Sequence, residues 1–169
     1  MLREGRDAGL ATFEKNVEAA IPALRRYARA LTQDSEVADD LVEHTLLQAI
    51  RSKHLFRDGV VRDWLYSVLI KLNRDRLHSL ARRPTLSRIK GNGTAGLTAA
   101  DAGGQDIEHA LSALVEEQRN ALLLVVLEGL TYNEVAEVQG VPIGTVMSRV
   151  ALARDAVKNA LEGLARQKC

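Results

Sequence analysis

Apolar side chains recur along the first third of the chain at the three- and four-residue spacing of a helix with one buried face. The first stripe consists of Ile21, Leu24, Tyr27, Ala28 and Leu31. The polar stretch 32–35 interrupts it, and Asp34 or Ser35 can cap a second helix that has Glu36 in its first turn. That second helix is predicted to turn four apolar side chains inward: Val37, Leu41, Leu47 and Ile50.

A third helix is predicted from about Val61 to Ala81, after the turn signal Arg57-Asp58-Gly59. Between residues 57 and 90 there are nine basic residues against three acidic ones. This local excess would attract a DNA backbone although the net charge of the whole chain is only +1. The apolar stripe of this helix, in which Trp64 is expected to be core and not a stacking platform, consists of Trp64, Leu65, Val68, Leu69, Leu72 and Leu77.

The periodic pattern stops between Pro84 and Gln105, where five glycines lie among Thr, Ala and Asn. Such a segment buries too little apolar surface to order itself, so it is predicted to be a flexible linker. It permits the flanking domains to be packed together or separated. The predicted organisation is an N-terminal tail over 1–15, a helical domain over 16–83, the linker over 84–105 and a second helical domain over 106–166.

Helix signals in the second domain are unusually clear. The apolar run 121–127 predicts a buried helix. Thr131 and Glu134 have the spacing of a capping box for a short helix from Tyr132 to Gln139. Gly140 suits a left-handed helix end, and Pro142 favours the start of a last helix over about 143–165. A short helix, a glycine turn and a longer helix form the helix-turn-helix pattern.

In helix-turn-helix proteins the N-terminal end of the second helix enters the DNA major groove. Backbone amides and polar side chains there can also hold phosphates. The alternative for the same pattern is a helical hairpin that packs but touches no DNA. The candidate DNA-contacting residues of this unit are Thr131, Gly144, Thr145, Met147, Ser148, Arg149 and Arg154.

Signatures of catalysis and of cofactor binding are missing from the sequence. The four histidines are scattered without metal-ligand spacing, and there is no Gly-rich phosphate loop, activated serine or thiol–histidine pair. We therefore expect no enzyme activity, catalytic residue, metal, cofactor or small-molecule substrate. The single cysteine, Cys169, cannot form an intrachain disulfide. No apolar stretch is long enough for a signal peptide or a membrane span, so a cytoplasmic protein without membrane insertion is expected.

Three stretches of the sequence resemble extracytoplasmic-function (ECF) sigma factors of the sigma-70 family. The stretch "ALSALVEEQRNALLLVVLEGLTYNEVAEVQGVPIGTVMSRVALARDAV" is similar to their C-terminal domain. "LRRYARALTQDSEVADDLVEHTLLQAI" resembles their first two helices, and "FRDGVVRDWLYSVLIKLNRDRL" resembles their promoter-melting helix. The stretches follow the family's order. The resemblance implies an all-α fold with a region 2-like domain and a region 4-like helix-turn-helix domain.

The resemblance also implies an alternative sigma factor that binds core RNA polymerase through its β′ and β subunits, directs initiation at promoter DNA and is controlled by an anti-sigma factor. The helix-turn-helix residues named above would read the −35 element. The loop over 52–60 would help to capture an unstacked base of the −10 element. The residues implied for polymerase binding are Asp39, Asp40, Leu41 and Glu43; those implied for the −10 element are Arg57, Arg62, Lys71, Arg74 and Arg76.

Several positions depart from the family's pattern. Met147 stands where lysine is common, Leu152 where arginine is common, Lys71 where asparagine is usual, and Val115 where proline is usual. These departures motivate one alternative, a sigma-like decoy that sequesters an anti-sigma factor without binding a promoter. A stand-alone helix-turn-helix regulator is the other alternative; it would normally dimerise, and the sequence has no evident heptad seam for that.

Overall fold

The structure, a computed structural model, describes residues 4–56, 59–82 and 102–167. The described residues form seven α-helices and one short 3₁₀ helix, without a β-strand. In the first domain α1 spans Glu4–Thr32, α2 spans Ser35–Arg51 and α3 spans Val61–Arg82, with the 3₁₀ helix over Lys53–Leu55. In the second domain the helices are α4 (Ala102–Ser112), α5 (Glu116–Val126), α6 (Tyr132–Gln139) and α7 (Ile143–Gln167).

The helix ends follow the capping chemistry of the sequence. Asp34 caps α2 by accepting a hydrogen bond from the backbone N–H of Val37, and Thr131 forms a complete capping box with Glu134 at the start of α6. Gly140 ends α6 in the left-handed conformation, with φ 64°. The predicted bounds of α6 are thereby confirmed, and α7 begins at the predicted residue directly after Pro142.

The buried apolar side chains of the two domains form one continuous cluster. In the first domain Leu24 and Tyr27 of α1 pack with Leu65 and Leu69 of α3, and all four are fully buried. The second domain is centred on α5, as the apolar run predicted, although Val126 near the end of that run is exposed. Its buried side chains include Ala121, Leu124, Val135, Val146 and Val150.

The first helix begins much earlier than predicted. Residues 4–15, expected to be a terminal tail, are helical and continue into α1. The reason is Phe13, which is buried and lies with its ring centroid 5.5 Å from that of Phe56 and 6.0 Å from that of Trp64. Trp64 thus belongs to an aromatic cluster of the core. Likewise α4 begins at Ala102 and not after residue 105; the rest of the predicted linker lies outside the described residues, as do Arg57, Arg83 and Cys169.

The inward face of α2 differs from the predicted one. Leu47 and Ile50, expected to be buried, are 42% and 54% exposed. Leu41 points inward as predicted. The face that packs against α1 and α3 consists of Ala38, Leu41, Val42, Thr45 and Ala49.

The two domains pack against each other, with α1 against α5 and α3 against α6. Hydrogen bonds between side chains cross this boundary: Arg26 and Tyr66 of the first domain bind Glu128 of the second, and Tyr27 binds Asn120. The helix-turn-helix unit therefore lies directly beside α3. Among the described residues, no helix is long and apolar enough to cross a membrane.

The left-handed helix end at Gly140 gives a direct stability test. Gly140→Ala should lower the free energy of unfolding by about 1 kcal/mol, because a Cβ is disfavoured at this φ although no neighbouring atom obstructs it. Gly163→Ala is the matched control. Gly163 lies inside α7 with open space around it, so alanine should raise the free energy of unfolding by roughly 0.5–1 kcal/mol. Urea unfolding followed by circular dichroism measures both; equal effects of the two changes would contradict the assigned backbone conformation.

Candidate functional site

The first candidate surface is the outer face of α2. Asp39, Asp40 and Glu43, three of the four residues predicted to bind a partner, are exposed there. The carboxylate of Asp39 lies 3.7 Å from the guanidinium of Arg29 on α1, and both side chains are more than half exposed. An exposed pair of this kind contributes little stability, so these carboxylates remain available to a basic partner. Leu41, the fourth predicted residue, is only 4% exposed and belongs to the core, which corrects its assignment to the contact surface.

The same face of α2 carries a feature that the sequence analysis placed inside. Asp40, Glu43, Leu47 and Ile50 are separated by three or four residues and are all exposed, so they form one stripe along the helix. The stripe is acidic toward the N-terminus of α2 and apolar toward its C-terminus. A signal for it exists in the sequence, because the small residues Ala38 and Ala49 with Thr45 supply an alternative inward face at helical spacing.

A shallow groove separates α2 from α3, with a volume of about 290 Å³. Asp40 and His44 line it from α2, and Leu72 and Arg76 line it from α3. The groove thus connects the acidic end of the α2 stripe with α3. Within the described part of the chain, no three side chains of His, Cys, Asp or Glu are grouped as a metal site requires.

The second candidate surface is the basic face of α3. Lys71 and Arg74 are exposed, and so are His78 and Arg82, which follow them at helical spacing. These four side chains form one exposed stripe along the C-terminal half of α3. Of these four, only Lys71 and Arg74 were predicted to contact DNA, and His78 and Arg82 share their face.

The other cations predicted for this surface are less accessible. Arg62 is partly buried, with its Nε atom 3.4 Å from the carboxylate of Asp63. Arg76 donates two hydrogen bonds to the amide oxygen of Asn73, at 3.2 and 2.9 Å, and burial lowers its pKa from the usual arginine value. Arg57 lies outside the described residues. The structure therefore groups Lys71 with Arg74 and separates both from Arg62 and Arg76.

The boundary with the second domain explains the environment of Arg62. Burial raises the pKa of the neighbouring Asp63 carboxyl, and the charges of Glu134 and Glu137 on α6 raise it further against the opposing effect of Arg62. An acidic part of α6 therefore lies close to the N-terminal end of α3. A DNA phosphate approaching Arg62 in this arrangement would also approach these carboxylates.

The third candidate surface is the helix-turn-helix unit. Gly144, Met147, Ser148 and Arg154 are exposed on α7, as required for contact with DNA, and Thr145 is partly buried. Arg149 is also partly buried, because its Nη1 atom donates a hydrogen bond of 2.7 Å to the side-chain oxygen of Gln139 on α6. Arg149 thus joins the two helices of the unit in this structure.

Thr131 is exposed, and its polar groups are engaged in the capping box. Its backbone N–H and its hydroxyl donate to the carboxylate of Glu134 at 2.7 and 2.9 Å. These hydrogen bonds hold the pKa of the Glu134 carboxyl below its usual value. The box fixes where α6 starts and hence how α7 is presented.

Apolar side chains are exposed on the same helix that carries the predicted DNA contacts. Ile143, Met147 and Leu152 are between 42% and 53% exposed. Ile143 and Met147 are four residues apart and share one face. Ile143 was not among the predicted site residues, because the pattern indicated only that a helix begins there.

Two parts of the chain match known protein families. Residues 17–70 match the family described as "Sigma2 domain of PhyR", and residues 104–157 match "Sigma-70, region 4". The ECF RNA polymerase sigma factor EcfG of Rhodopseudomonas palustris is 32% identical over 151 residues, which cover 85% of this chain and 81% of EcfG. The ECF sigma factor SigM of Mycobacterium tuberculosis is 35% identical over 132 residues, covering 78% of this chain and 67% of SigM.

Among solved structures, the fold is similar to the sigma factor RpoE from Bartonella quintana, crystallised in complex with the anti-sigma factor NepR. The TM-score is 0.72 at 28% identity, over 89% of this chain and 97% of RpoE. The fold therefore agrees with the matches in sequence, and the predicted all-α class with its two kinds of sigma domain is confirmed. On these grounds, the chain belongs to the family of ECF RNA polymerase sigma factors.

Proposed function

We propose that this sigma factor binds core RNA polymerase, through its β′ and β subunits, with the exposed stripe of α2. Asp39, Asp40 and Glu43 offer carboxylates to basic side chains of the partner, and Leu47 and Ile50 offer apolar area beside them. A small apolar patch next to complementary charges is a common composition for a protein interface. Binding to the polymerase would place the protein in the cytoplasm.

At the −10 element the proposal assigns DNA contact first to Lys71 and Arg74. Their exposure on one face of α3, with Arg82 further along the same face, offers positive charge to phosphates, although the exposed carboxylate of Asp75 lies beside them. Arg62 and Arg76 would join this surface only after their present surroundings have changed. The cost of taking a base out of its stack is a few kcal/mol, which contacts from α3 and from the loop before it would offset.

At the −35 element the N-terminal part of α7 would lie in the major groove. Gly144 allows close approach of the backbone, and Ser148 and Arg154 offer polar and charged contacts. Met147 would contribute apolar contact, for which thymine methyl groups are the natural partners in the groove. The substitution of methionine for a commoner lysine would thus change the base preference and not remove binding.

An anti-sigma factor is the proposed regulator. The exposed apolar side chains Leu47 and Ile50 on α2, and Met147 and Leu152 on α7, would be covered by such a partner. The related RpoE was solved in complex with one. The same side chains would then be needed for the polymerase and for DNA, so the two kinds of binding would exclude each other.

One observation carries the proposal: two sigma-factor domains match within one chain, in the order of the family, and relatives above 30% identity over most of their length are sigma factors. PhyR from Bartonella quintana is described as an anti-anti-sigma factor, so the match of residues 17–70 to a domain of PhyR is the feature that a decoy would share. The relatives that match across both domains favour the initiation factor over the decoy and over a stand-alone regulator.

Transcription from genomic DNA fragments tests the proposal. Purified protein with core RNA polymerase should produce discrete new transcript starts. Replacing Lys71 and Arg74 together by alanine should remove these starts and lower the slope of log affinity against log salt by roughly 1.8 for the loss of two phosphate contacts, while binding to the polymerase persists. The matched control replaces Lys15 and Arg25, two exposed cations of α1, by alanine. A chain that gives no specific starts yet binds an anti-sigma factor tightly would be a decoy.

A further inference from the structure

A buried carboxylate lies at the boundary between the two domains. The side chain of Glu128, just after α5, has no solvent exposure. It accepts hydrogen bonds from Arg26 of α1, at 3.0 Å from Nε and 2.8 Å from Nη2, and from the hydroxyl of Tyr66 of α3 at 2.5 Å. A carboxylate is buried at large cost unless it is paired and hydrogen-bonded. These bonds all come from the other domain, so they exist only while the domains are packed together.

Further polar contacts cross the same boundary. The buried hydroxyl of Tyr27 donates to the side-chain oxygen of Asn120 at 3.0 Å, and the amide nitrogen of Gln33 donates to the backbone oxygen of Glu108 at 2.6 Å. Apolar side chains meet at the boundary as well, because the buried side chains of both domains belong to one hydrophobic cluster. Opening therefore exposes apolar surface together with these polar groups, and a binding partner has to offset that cost.

Gln33 takes part in this boundary with an unusual backbone conformation. It is the single non-glycine residue with positive φ among the described residues, at 55°. Such a conformation is disfavoured for a residue with a Cβ, and glycine would adopt it freely at the end of a helix. The glutamine in this position holds its side chain against the second domain. A locally strained conformation is thus maintained together with a contact between domains.

The packed arrangement conflicts with simultaneous binding of both promoter elements. The −35 and −10 positions are about 25 base pairs apart, which is roughly 85 Å at about 3.4 Å per base pair. A compact chain of 169 residues has a radius of gyration of about 15 Å and is therefore about 40 Å across. In addition, Arg62 is partly buried beside acidic side chains of α6. The two domains must separate before α3 and α7 can both reach DNA.

We infer that the contacts of Glu128 with Arg26 and Tyr66 form an intramolecular latch, which keeps the unbound sigma factor closed until core polymerase opens it. The inference rests on the proposed function, because the open state is the one that reads a promoter. The latch lowers the apparent affinity for polymerase by the fraction of molecules that are open. Loosening the latch should therefore strengthen polymerase binding, which is the opposite of the effect of damage to a contact surface.

Distance measurements between the domains test the latch without polymerase. Spin labels are attached at Ala19→Cys on α1 and Asn159→Cys on α7, both exposed positions, after Cys169→Ser removes the native thiol. The parent protein should give one short distance. Arg26→Ala should add a population with long distances, whereas Arg25→Ala, which removes the adjacent exposed arginine, should not. A parent protein that is already mostly open, or identical distributions for the two arginine variants, would overturn the latch.

Two milder variants protect the test against simple misfolding. Tyr66→Phe removes only the hydroxyl that binds Glu128, and Gln33→Ala removes a contact between the domains while a Cβ stays at the positive φ. Both should increase the open population while the helical content measured by circular dichroism stays unchanged. Combining Arg26→Ala with Glu128→Ala should open the protein no further than the more open of the two single variants, because the pair acts as a unit. Additive opening would contradict the pairing.

Polymerase affinity is the functional measurement. Arg26→Ala should bind core polymerase about tenfold more tightly than the parent, and Arg25→Ala should bind with the parent's affinity. Weaker binding by Arg26→Ala would refute the latch and identify Arg26 as a contact residue. If no variant binds polymerase at all, the proposed function fails, and the distance distributions alone then decide whether the domains are latched.

Discussion

Reversing the charges of Asp39, Asp40 and Glu43 to lysine is expected to weaken binding to core RNA polymerase by about 100-fold or more. The three carboxylates are exposed on one side of α2 and form no buried contacts, so the substitution should leave the fold intact. Like charges brought together in an interface cost several kcal/mol, and each 1.4 kcal/mol corresponds to about a tenfold change in affinity. The loss should be smaller at high salt, since exposed charges are screened.

Titration of the fluorescently labelled sigma factor with core polymerase measures the affinity. Circular dichroism establishes that the variant is folded. The matched control reverses Glu14, Glu18 and Asp155, which are exposed on α1 and α7. This control raises the formal net charge of +1 by six units, as the α2 variant does. An equal loss in the control would attribute the effect to net charge, and unchanged binding of the α2 variant would remove this face from the polymerase interface.

The features that the sequence predicted best depend on local interactions. The capping box of Thr131 with Glu134 and the left-handed end at Gly140 involve residues within a few positions of each other. Their geometry is therefore determined by the residues themselves, whatever surrounds them. For the same reason the bounds of α6 were predicted correctly, and with them the helix-turn-helix unit.

The inward face of α2 was predicted less well because a buried polar residue resembles an exposed one in sequence. Thr45 is fully buried, and its hydroxyl donates a hydrogen bond of 2.7 Å to the backbone oxygen of Leu41. The hydroxyl is thus satisfied within its own helix and does not need water. If Thr45 is assigned to the outside because it is polar, the helix is rotated about its axis, and Leu47 and Ile50 are then predicted to lie in the core.

Contacts between the domains could not be predicted from local patterns. Glu128 is separated by 102 residues from Arg26 and by 62 from Tyr66, and Asn120 by 93 from Tyr27. In the sequence Glu128 indicates only the end of a helix. Its burial depends on the first domain, whose position no local sequence pattern determines. The partial burial of Arg62, near Glu134 of α6, was unpredictable for the same reason, whereas Arg76 is bonded within α3 to Asn73.

Leu41→Ala is expected to lower the free energy of unfolding by about 2–5 kcal/mol, the range found when a buried leucine is truncated and leaves a cavity. Leu41 is 4% exposed, packs into the core of the first domain and lines the floor of the groove between α2 and α3. Family resemblance assigned it to polymerase binding together with Asp40. The structure gives it a different role, which is to hold the α2 stripe in place.

Urea unfolding of Leu41→Ala and Leu47→Ala separates the two roles, because the same substitution is made on one helix at a buried and at an exposed position. Leu47 is 42% exposed, so its replacement should change the free energy of unfolding by no more than about 0.5 kcal/mol. Under conditions where both variants are folded, Leu41→Ala should bind polymerase nearly as the parent does, whereas Leu47→Ala should bind more weakly. Loss of binding by Leu41→Ala without loss of stability would return Leu41 to the contact surface.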